Sequence, residues 1–525
     1  MRIIKKLFNI KIFLYLLLSI VILFVLAINT RGKLGNPEIT RVTNYSLWGE
    51  YHGAAYENSS ARSRYALIYS LVDDKSFHFS EALARFSTPE VATFDGKYVS
   101  LFAPGTSLLA IPGYIIGKSV DMAQVGSYLT ISLFAFMNFI LIVKISKKLG
   151  ATSTSSILGA LAFLFATPAF GYALSLHQHH ITTFMILLSL YALLSFRDFW
   201  ALVLVWFLCV FSIIVDYPNF FLMFPLGIYA LGKIFIIKSG PKLFEFKIRF
   251  LYFFSFLIML LPIGLFLWFN ARSYDSPLRL SGTLPRVESF DENYADNTDK
   301  AVILEGVADP EKKDSIGFFQ TRALLNGFYI HFISPDRGVL FYAPVALLGI
   351  LGFSYVNRKN QKYFALLLSL LGVNILLYSM WGDPWGGWAF GSRYLIPSYA
   401  ILSVFIGVAL AKAKKYNILI LIFSVLTAYS IYINTLGALT TTNMPPKIEV
   451  LSLEEQTQRV QHYDYKRNVE FLNNDVVNTV GYRDFAEGKI TPWNYFYAVY
   501  FSIMSVLAIT SVFYLISKRK HKNAN

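Results

Sequence analysis

The chain has 525 residues, 55% of them hydrophobic and only 15% charged, against about 25% charged in soluble domains, which excludes a soluble globular enzyme. A net charge of +15 would suit nucleic acid if it were clustered, but here the basic residues sit between apolar runs and report topology, so no nucleic-acid partner is expected. The single cysteine, Cys209, excludes an intramolecular disulfide and a cysteine-based metal site.

Apolar runs free of Asp, Glu, Lys and Arg occupy 12–28, 125–143, 152–176, 181–196, 199–215, 218–232, 250–269, 339–356, 363–381, 395–410, 417–436 and 493–516. Each approaches the roughly 20 residues that cross a bilayer, so the expected fold class is an all-α polytopic membrane protein of about 12 transmembrane helices. Asn29, Thr30 and Arg31 follow the first run in place of a small-residue cleavage site, so that run reads as an uncleaved anchor. The stretch 104–118 is apolar but short and interrupted by Pro104, Gly105, Pro112, Gly113 and Gly117. It is expected to lie in the outer interface or to dip into the bundle.

Between alternate runs lie Lys144, Lys147 and Lys148; Arg197; the segment 233–249; Arg358, Lys359 and Lys362; and Lys412, Lys414 and Lys415. With both termini, these segments collect 23 basic residues and two acids, while the other face holds 24 basic and 30 acidic residues. The positive-inside rule places the first set in the cytoplasm. The expected location is the cytoplasmic membrane, multi-pass, with both termini inside. Three outer segments are long, 29–103, 271–338 and 437–491. The expected organisation is a bundle over 1–436 that includes the first two, a C-terminal outer loop over 437–491, and a last transmembrane helix with a basic tail over 492–525.

Polar residues crowd the outer ends of the runs: Ser63 and Arg64, Asp73 and Asp74, Glu90, Asp95, His177, His179, His180, Asp216, Asp336 and Arg337, Asp383 and Arg393. No run carries a charge near its centre, and no internal repeat relates the two halves. Both absences count against an ion-coupled transporter. A ring of acids and bases at one end of the bundle is what a reaction at the outer interface requires, although solvated loop ends would look the same.

Two segments carry the most chemistry. The first, FDGKYVSLFAPGTSLLAIP, follows Glu90 and places Asp95, Lys97 and Tyr98 ahead of a Pro104–Gly105 turn at the membrane surface. The second, SMWGDPWGGWAFGSRYLIPSY, sets Trp381, Trp385 and Trp388 among glycines before Arg393. A planar, permanently charged fork beside aromatic surfaces suits a phosphate-bearing ligand with a sugar or lipid headgroup; the structural alternative is an aromatic belt with a snorkelling arginine. His177, His179 and His180 lack matching carboxylates in a fixed motif. A polar helix end with one functional histidine is therefore preferred to a metal site, and no cofactor is assigned, with a divalent ion left open.

On these residues the chain resembles the GT-C superfamily of integral-membrane glycosyltransferases, to which the protein mannosyltransferases and the lipid A aminoarabinose transferase belong as distant relatives. SSARSRYALIYSLVDD resembles the first-loop Ser-Arg segment of a bacterial and archaeal branch, and TPEVATFDGKYVSLFAPGTSLLAIP its acidic, Gly-Tyr and Pro-Gly stretch. SPDRGVLFYAPVALLGILGF and GGWAFGSRYLIPSYAIL resemble its later loop-to-span motifs. The resemblance implies a polyprenyl-phosphate-linked sugar donor, a lipid, glycan or protein acceptor, and a metal-independent or weakly metal-assisted inverting transfer outside the cytoplasm. Two departures stand out. Glu90 occupies a position that is usually Asp, and the Asp-Glu pair common after the first span is absent, Glu38, Glu50 and Glu57 being the nearest acids.

Such a transfer builds negative charge on the departing phosphate and takes a proton from the acceptor hydroxyl, so it needs a fixed cation and a carboxylate base. The expected bases are Glu90, then Asp95 and Asp74. The expected phosphate or substrate ligands are Arg393 and Arg64, with Lys97, Tyr98, Trp388, His179 and His180. A transporter or flippase for a lipid-linked glycan is the competing reading, and a non-catalytic scaffold a third.

Overall fold

The structure is a computed structural model and describes residues 2–40, 57–239, 244–290, 301–304, 321–356, 360–413 and 416–524. Among them, seven helices are long and apolar enough to cross a membrane: Ala123–Lys148, Asp198–Val215, Phe250–Tyr274, Gln361–Ser379, Arg393–Lys412, Asn417–Leu439 and Pro492–Arg519. Five shorter apolar helices accompany them, Phe13–Ile28, Ser153–Phe165, His179–Ser195, Asn219–Ile234 and Pro344–Tyr355. Every apolar run read from the sequence thus contains an apolar helix, and the frame is that of a polytopic helical membrane protein.

Two runs are not continuous helices. In 152–176 the helix ends at Phe165, and Pro168 opens only a short turn over Ala169–Tyr172. In 339–356 the chain passes through Val339–Tyr342, then mixed 3-10 and α turns from Pro344 onward. Proline lacks the N–H that would continue the ladder, so each break falls at one.

The helix Ile396–Lys412 is buried along nearly its whole length and acts as the central strut. Its neighbours approach closely because they present small residues: a Cβ on Gly159 would come within 2.4 Å of the Ser403 carbonyl oxygen, and Ser146 donates to the Val404 carbonyl at 3.0 Å. Small residues of this kind are how helices pack when lipid removes the hydrophobic incentive to associate. By contrast, Phe250–Tyr274 presents most of its apolar side chains outward, as a lipid-facing helix does.

Alternating helix direction gives the bundle two chemically different ends. At one end the basic loops meet: Asn360 donates to the Lys148 carbonyl, Tyr363 to that of Leu193 and Lys518 to that of Ala411, while Lys233 and Arg249 both pair with Asp198. The first helix leaves this end and the last returns to it. At the other end Tyr495 donates to Asn29 at 2.9 Å, closing the first helix against the last.

That second end carries structure the sequence reading did not anticipate. A four-stranded antiparallel sheet runs in the order Lys97–Ser100, Val91–Phe94, Arg286–Phe290, Ala301–Leu304. Its first hairpin turns at Asp95 and Gly96, both at positive φ, the Asp-Gly pairing that a tight two-residue hairpin favours. A second hairpin, Phe235–Ser239 with Phe244–Ile248, lies in the basic loop at the opposite end.

The stretch 104–118 is a 14-residue helix, Gly105–Lys118, about 21 Å long at 1.5 Å per residue and so shorter than a hydrocarbon core. It exposes Ile115 and Ile116 and braces the helix Ser59–Val72: Tyr114 and Lys118 both bond Asp73, and Ser107 donates to the Arg64 carbonyl at 2.9 Å.

Candidate functional site

A cavity of about 560 Å³ opens at the end of the bundle away from the basic loops. The end of Asp198–Val215, the starts of His179–Ser195 and Asn219–Ile234, the loop after Gln361–Ser379 and the start of Ser59–Val72 all contribute to its wall. Its lining includes four arginines, Arg62, Arg64, Arg286 and Arg393, and four carboxylates, Glu57, Glu90, Asp216 and Asp383.

The helix Ser59–Val72 divides its work between two faces. Arg62 and Arg64 are two residues apart, hence roughly 200° apart around the axis. Arg62 points to the Phe86 and Thr88 carbonyls at 2.7 and 2.8 Å, and Ser63 donates to the Glu90 carbonyl at 2.7 Å. Together they fix the segment that presents Glu90. Arg64 turns to the cavity, where it donates to the Gln178 side-chain oxygen at 2.8 Å and lies over the Phe102 ring at 4.2 Å. The Gln178 amide in turn donates to Asp216 at 3.1 Å.

Most of the charges are already matched. Glu90 meets Arg286 at 3.3 Å, and Glu57 forms a buried pair with Arg31 that Thr441 and the Thr442 N–H complete. Asp383 accepts from the Gly387 N–H at 2.5 Å. Arg64 and Arg393 differ: among the described residues neither pairs with a carboxylate, and the Nε of each is buried without a hydrogen bond. Burial brings Arg64 down to about 10, Asp216 opposing and Arg393 adding to the shift, so it remains a cation at neutral pH. Burial raises the Asp216 carboxyl, with Arg64, Gln178 and Arg393 holding it back. The result is two cations with donors to spare facing a carboxylate, an arrangement suited to an incoming anion.

The Arg393 wall is built by a glycine turn. Gly386 and Gly387 are at positive φ, and a Cβ on Gly386 would come within 3.1 Å of the Tyr394 ring and 3.2 Å of Arg393 Nε. Only glycine lets the chain pass over the guanidinium there. Behind it, Tyr394 stacks on Tyr378 with ring centroids 4.2 Å apart. Fully buried Arg337 shapes the turn from below, donating to the carbonyls of Asp336, Trp385, Gly387 and Met444. Trp388 lines the cavity, but its indole N–H donates to Glu449 at 2.6 Å and Arg467 lies over its ring at 5.9 Å. It therefore also ties the C-terminal outer loop to the rim.

Of the residues expected to act as base or ligand, Glu90, Arg64, Arg393 and Trp388 meet in this cavity, and Asp95, Asp74, Lys97, Tyr98, His179 and His180 are not among those lining it. Asp95 and Lys97 are exposed at the hairpin tip, about 15 Å of extended chain beyond Glu90, and Lys97 lies 3.9 Å from Asp275. Tyr98 packs on Phe290 at 5.6 Å. Asp74 is exposed past the far end of Ser59–Val72, about 15 Å of helix rise from Arg64. His179 is packed between Tyr172 and Tyr394, and His180 bonds the Ala169 carbonyl at 2.8 Å inside the bundle. Glu50 lies outside the described residues. Among the described residues, no group of three or more His, Cys, Asp or Glu is placed to share a metal ion.

Among the acidic, basic and histidine side chains of the lining, six had no assigned role: Glu57, Arg62, His177, Asp216, Arg286 and Asp383. Asp216 had a local signal, an acid in the two-residue break between apolar runs. Arg286 had none, because it reaches the site only through strand pairing.

Bundle and cavity together define a class: a polytopic helical membrane protein with a charged pocket at one end. No family model matches the chain, and no curated protein matches it. Among solved structures, the chain is similar to ArnT from Cupriavidus metallidurans in the apo state, with 12% identity and a TM-score of 0.46 over 95% of this chain and 76% of that one. It is also similar to ArnT from the same organism bound to undecaprenyl phosphate, with 11% identity and a TM-score of 0.45 over 96% and 77%.

Proposed function

We propose that the protein is a GT-C-type glycosyltransferase of the cytoplasmic membrane, moving a sugar from a polyprenyl-phosphate carrier to a lipid, glycan or protein acceptor on the extracytoplasmic side. The observation that carries this reading is the pair Arg64 and Arg393, two cations without carboxylate partners among the described residues, in one cavity with Glu90 and Asp216. The basic loops gathered at the opposite end support cytoplasmic termini and an outward-facing site.

In this reading the carrier phosphate lies between Arg64 and Arg393. Glu90, oriented by Arg286 and by the Ser63 bond to its backbone, takes the proton from the acceptor hydroxyl as that oxygen attacks the anomeric carbon. The carbon–oxygen bond to the phosphate breaks and the electron pair leaves with the carrier. The growing phosphate charge then meets two guanidinium forks in a partly dehydrated site, where such donors lower a barrier most. The reaction so written draws on no cofactor, and its rate is expected to survive a chelator.

The test is incubation of purified protein with a panel of polyprenyl-phosphate sugars, comparing native protein with Glu90→Gln and Arg393→Ala. Carrier consumption by the native protein, lost in both variants, is the expected result. Vectorial lipid movement without consumption would assign the chain to lipid-linked glycan transport instead.

A further inference from the structure

His177 lines the same cavity as Arg64 and Arg393, is 1% exposed, and has an Nε2 with no hydrogen-bond partner. Its ring plane is set from two sides: it stacks on His179 with centroids 6.0 Å apart and meets Tyr172 edge-on at 5.2 Å. A buried polar nitrogen left without a partner is destabilising, and an acceptor atom arriving in the cavity removes that cost.

We infer that His177 is a third phosphate-binding side chain and that it takes up a proton as the freed carrier phosphate forms between Arg64 and Arg393; this rests on the reaction proposed above. Burial together with Arg393, Arg64, His179 and Arg31 holds the imidazole well below the usual histidine range, which favours the neutral ring. Tyr172 adds no charge, and Asp216 shares the cavity wall with its carboxylate bonded to Gln178. The sugar-linked carrier is a phosphodiester with one negative charge, whereas the freed monoester carries about two at neutral pH; the second charge offsets the remaining guanidinium charge and favours the cationic ring. The proton comes from solvent as the phosphate oxygen gains its second charge on bond cleavage, and returns to solvent when the freed carrier departs.

The experiment is calorimetric titration with a polyprenyl monophosphate lacking sugar, at pH 7.5, in two buffers of different ionisation enthalpy. A phosphate monoester with a second pKa of about 6 is already a dianion there, so proton uptake belongs to the protein. Native protein is expected to take up a large fraction of one proton. His177→Gln is expected to take up less and to bind about tenfold more weakly, the scale of one lost charge-assisted hydrogen bond. Equal proton counts in the two proteins overturn the inference and leave the proposed function standing. Absence of native binding overturns the carrier reading and this inference with it. Should the variant not fold, the native count alone decides, zero uptake being the overturning result.

Discussion

Arg286 donates to Glu90 across 3.3 Å, joining outer segments 196 residues apart in the chain. The contact follows from sheet register: Ala92 pairs with Arg286, so the residue two places before the strand partner comes within reach of the guanidinium. A base so held keeps its aim at the acceptor oxygen. Glu90→Gln is expected to lower kcat by about 10²- to 10⁴-fold, the usual worth of a general base. Arg286→Ala, which leaves the carboxylate but frees it, is expected to cost about tenfold. Steady-state rates on the best carrier of the panel check both.

Arg393 and Arg64 line the cavity without a carboxylate partner among the described residues, whereas Arg286 is paired with Glu90. Arg393→Ala is expected to lower kcat by about 10²- to 10³-fold, as removal of one oxyanion donor does. Arg393→Lys should recover only part of the loss, since an ammonium cannot offer the same planar fork. Equal activity in the lysine variant and the native protein would argue for a point charge rather than a bidentate contact.

Arg337 is a buried cation held by four carbonyls from three parts of the chain. Replacing it with methionine leaves the carbonyls of Trp385, Gly387 and Met444 without that donor, a loss on the order of 3 kcal/mol. The expected outcome is a lower apparent melting temperature in detergent and altered tryptophan emission, because the Trp385–Trp388 turn loses its anchor.

His331 lies in the outer segment with its Nδ1 3.0 Å from Ser392 Oγ and its Nε2 3.2 Å from the Tyr378 carbonyl. Burial lowers it to about 4, against roughly 6.5 in an unfolded chain. Below pH 6.5 the unfolded state therefore binds the extra proton and the native state does not, so stability falls as pH drops from 6.5 toward 4. The full effect is on the order of 3 kcal/mol. Melting curves across this window should be flatter for His331→Gln than for native protein.

The spans were legible from sequence because crossing a bilayer is a local requirement: about 20 apolar residues must satisfy their own backbone, wherever they lie in the fold. For the same reason Arg64, Glu90, Trp388 and Arg393 could be singled out, each standing in a polar segment at the mouth of an apolar run. Local composition does not separate them from Asp95, Lys97 and Asp74, which stand in equally polar segments yet lie one hairpin or one helix length from the cavity.

What tertiary structure alone decided was facing and pairing. Register set Arg286 beside Glu90, helix rotation sent Arg62 and Arg64 to different partners, and packing turned His177 to the cavity wall while placing His179 and His180 against aromatic and backbone neighbours. Hydropathy is a property of neighbours in the chain, whereas which side of a helix meets which other element depends on all the helices packing at once. The gathering of Arg64, Arg393 and Asp216 around one cavity, which gives it its chemistry, arises only at that second level.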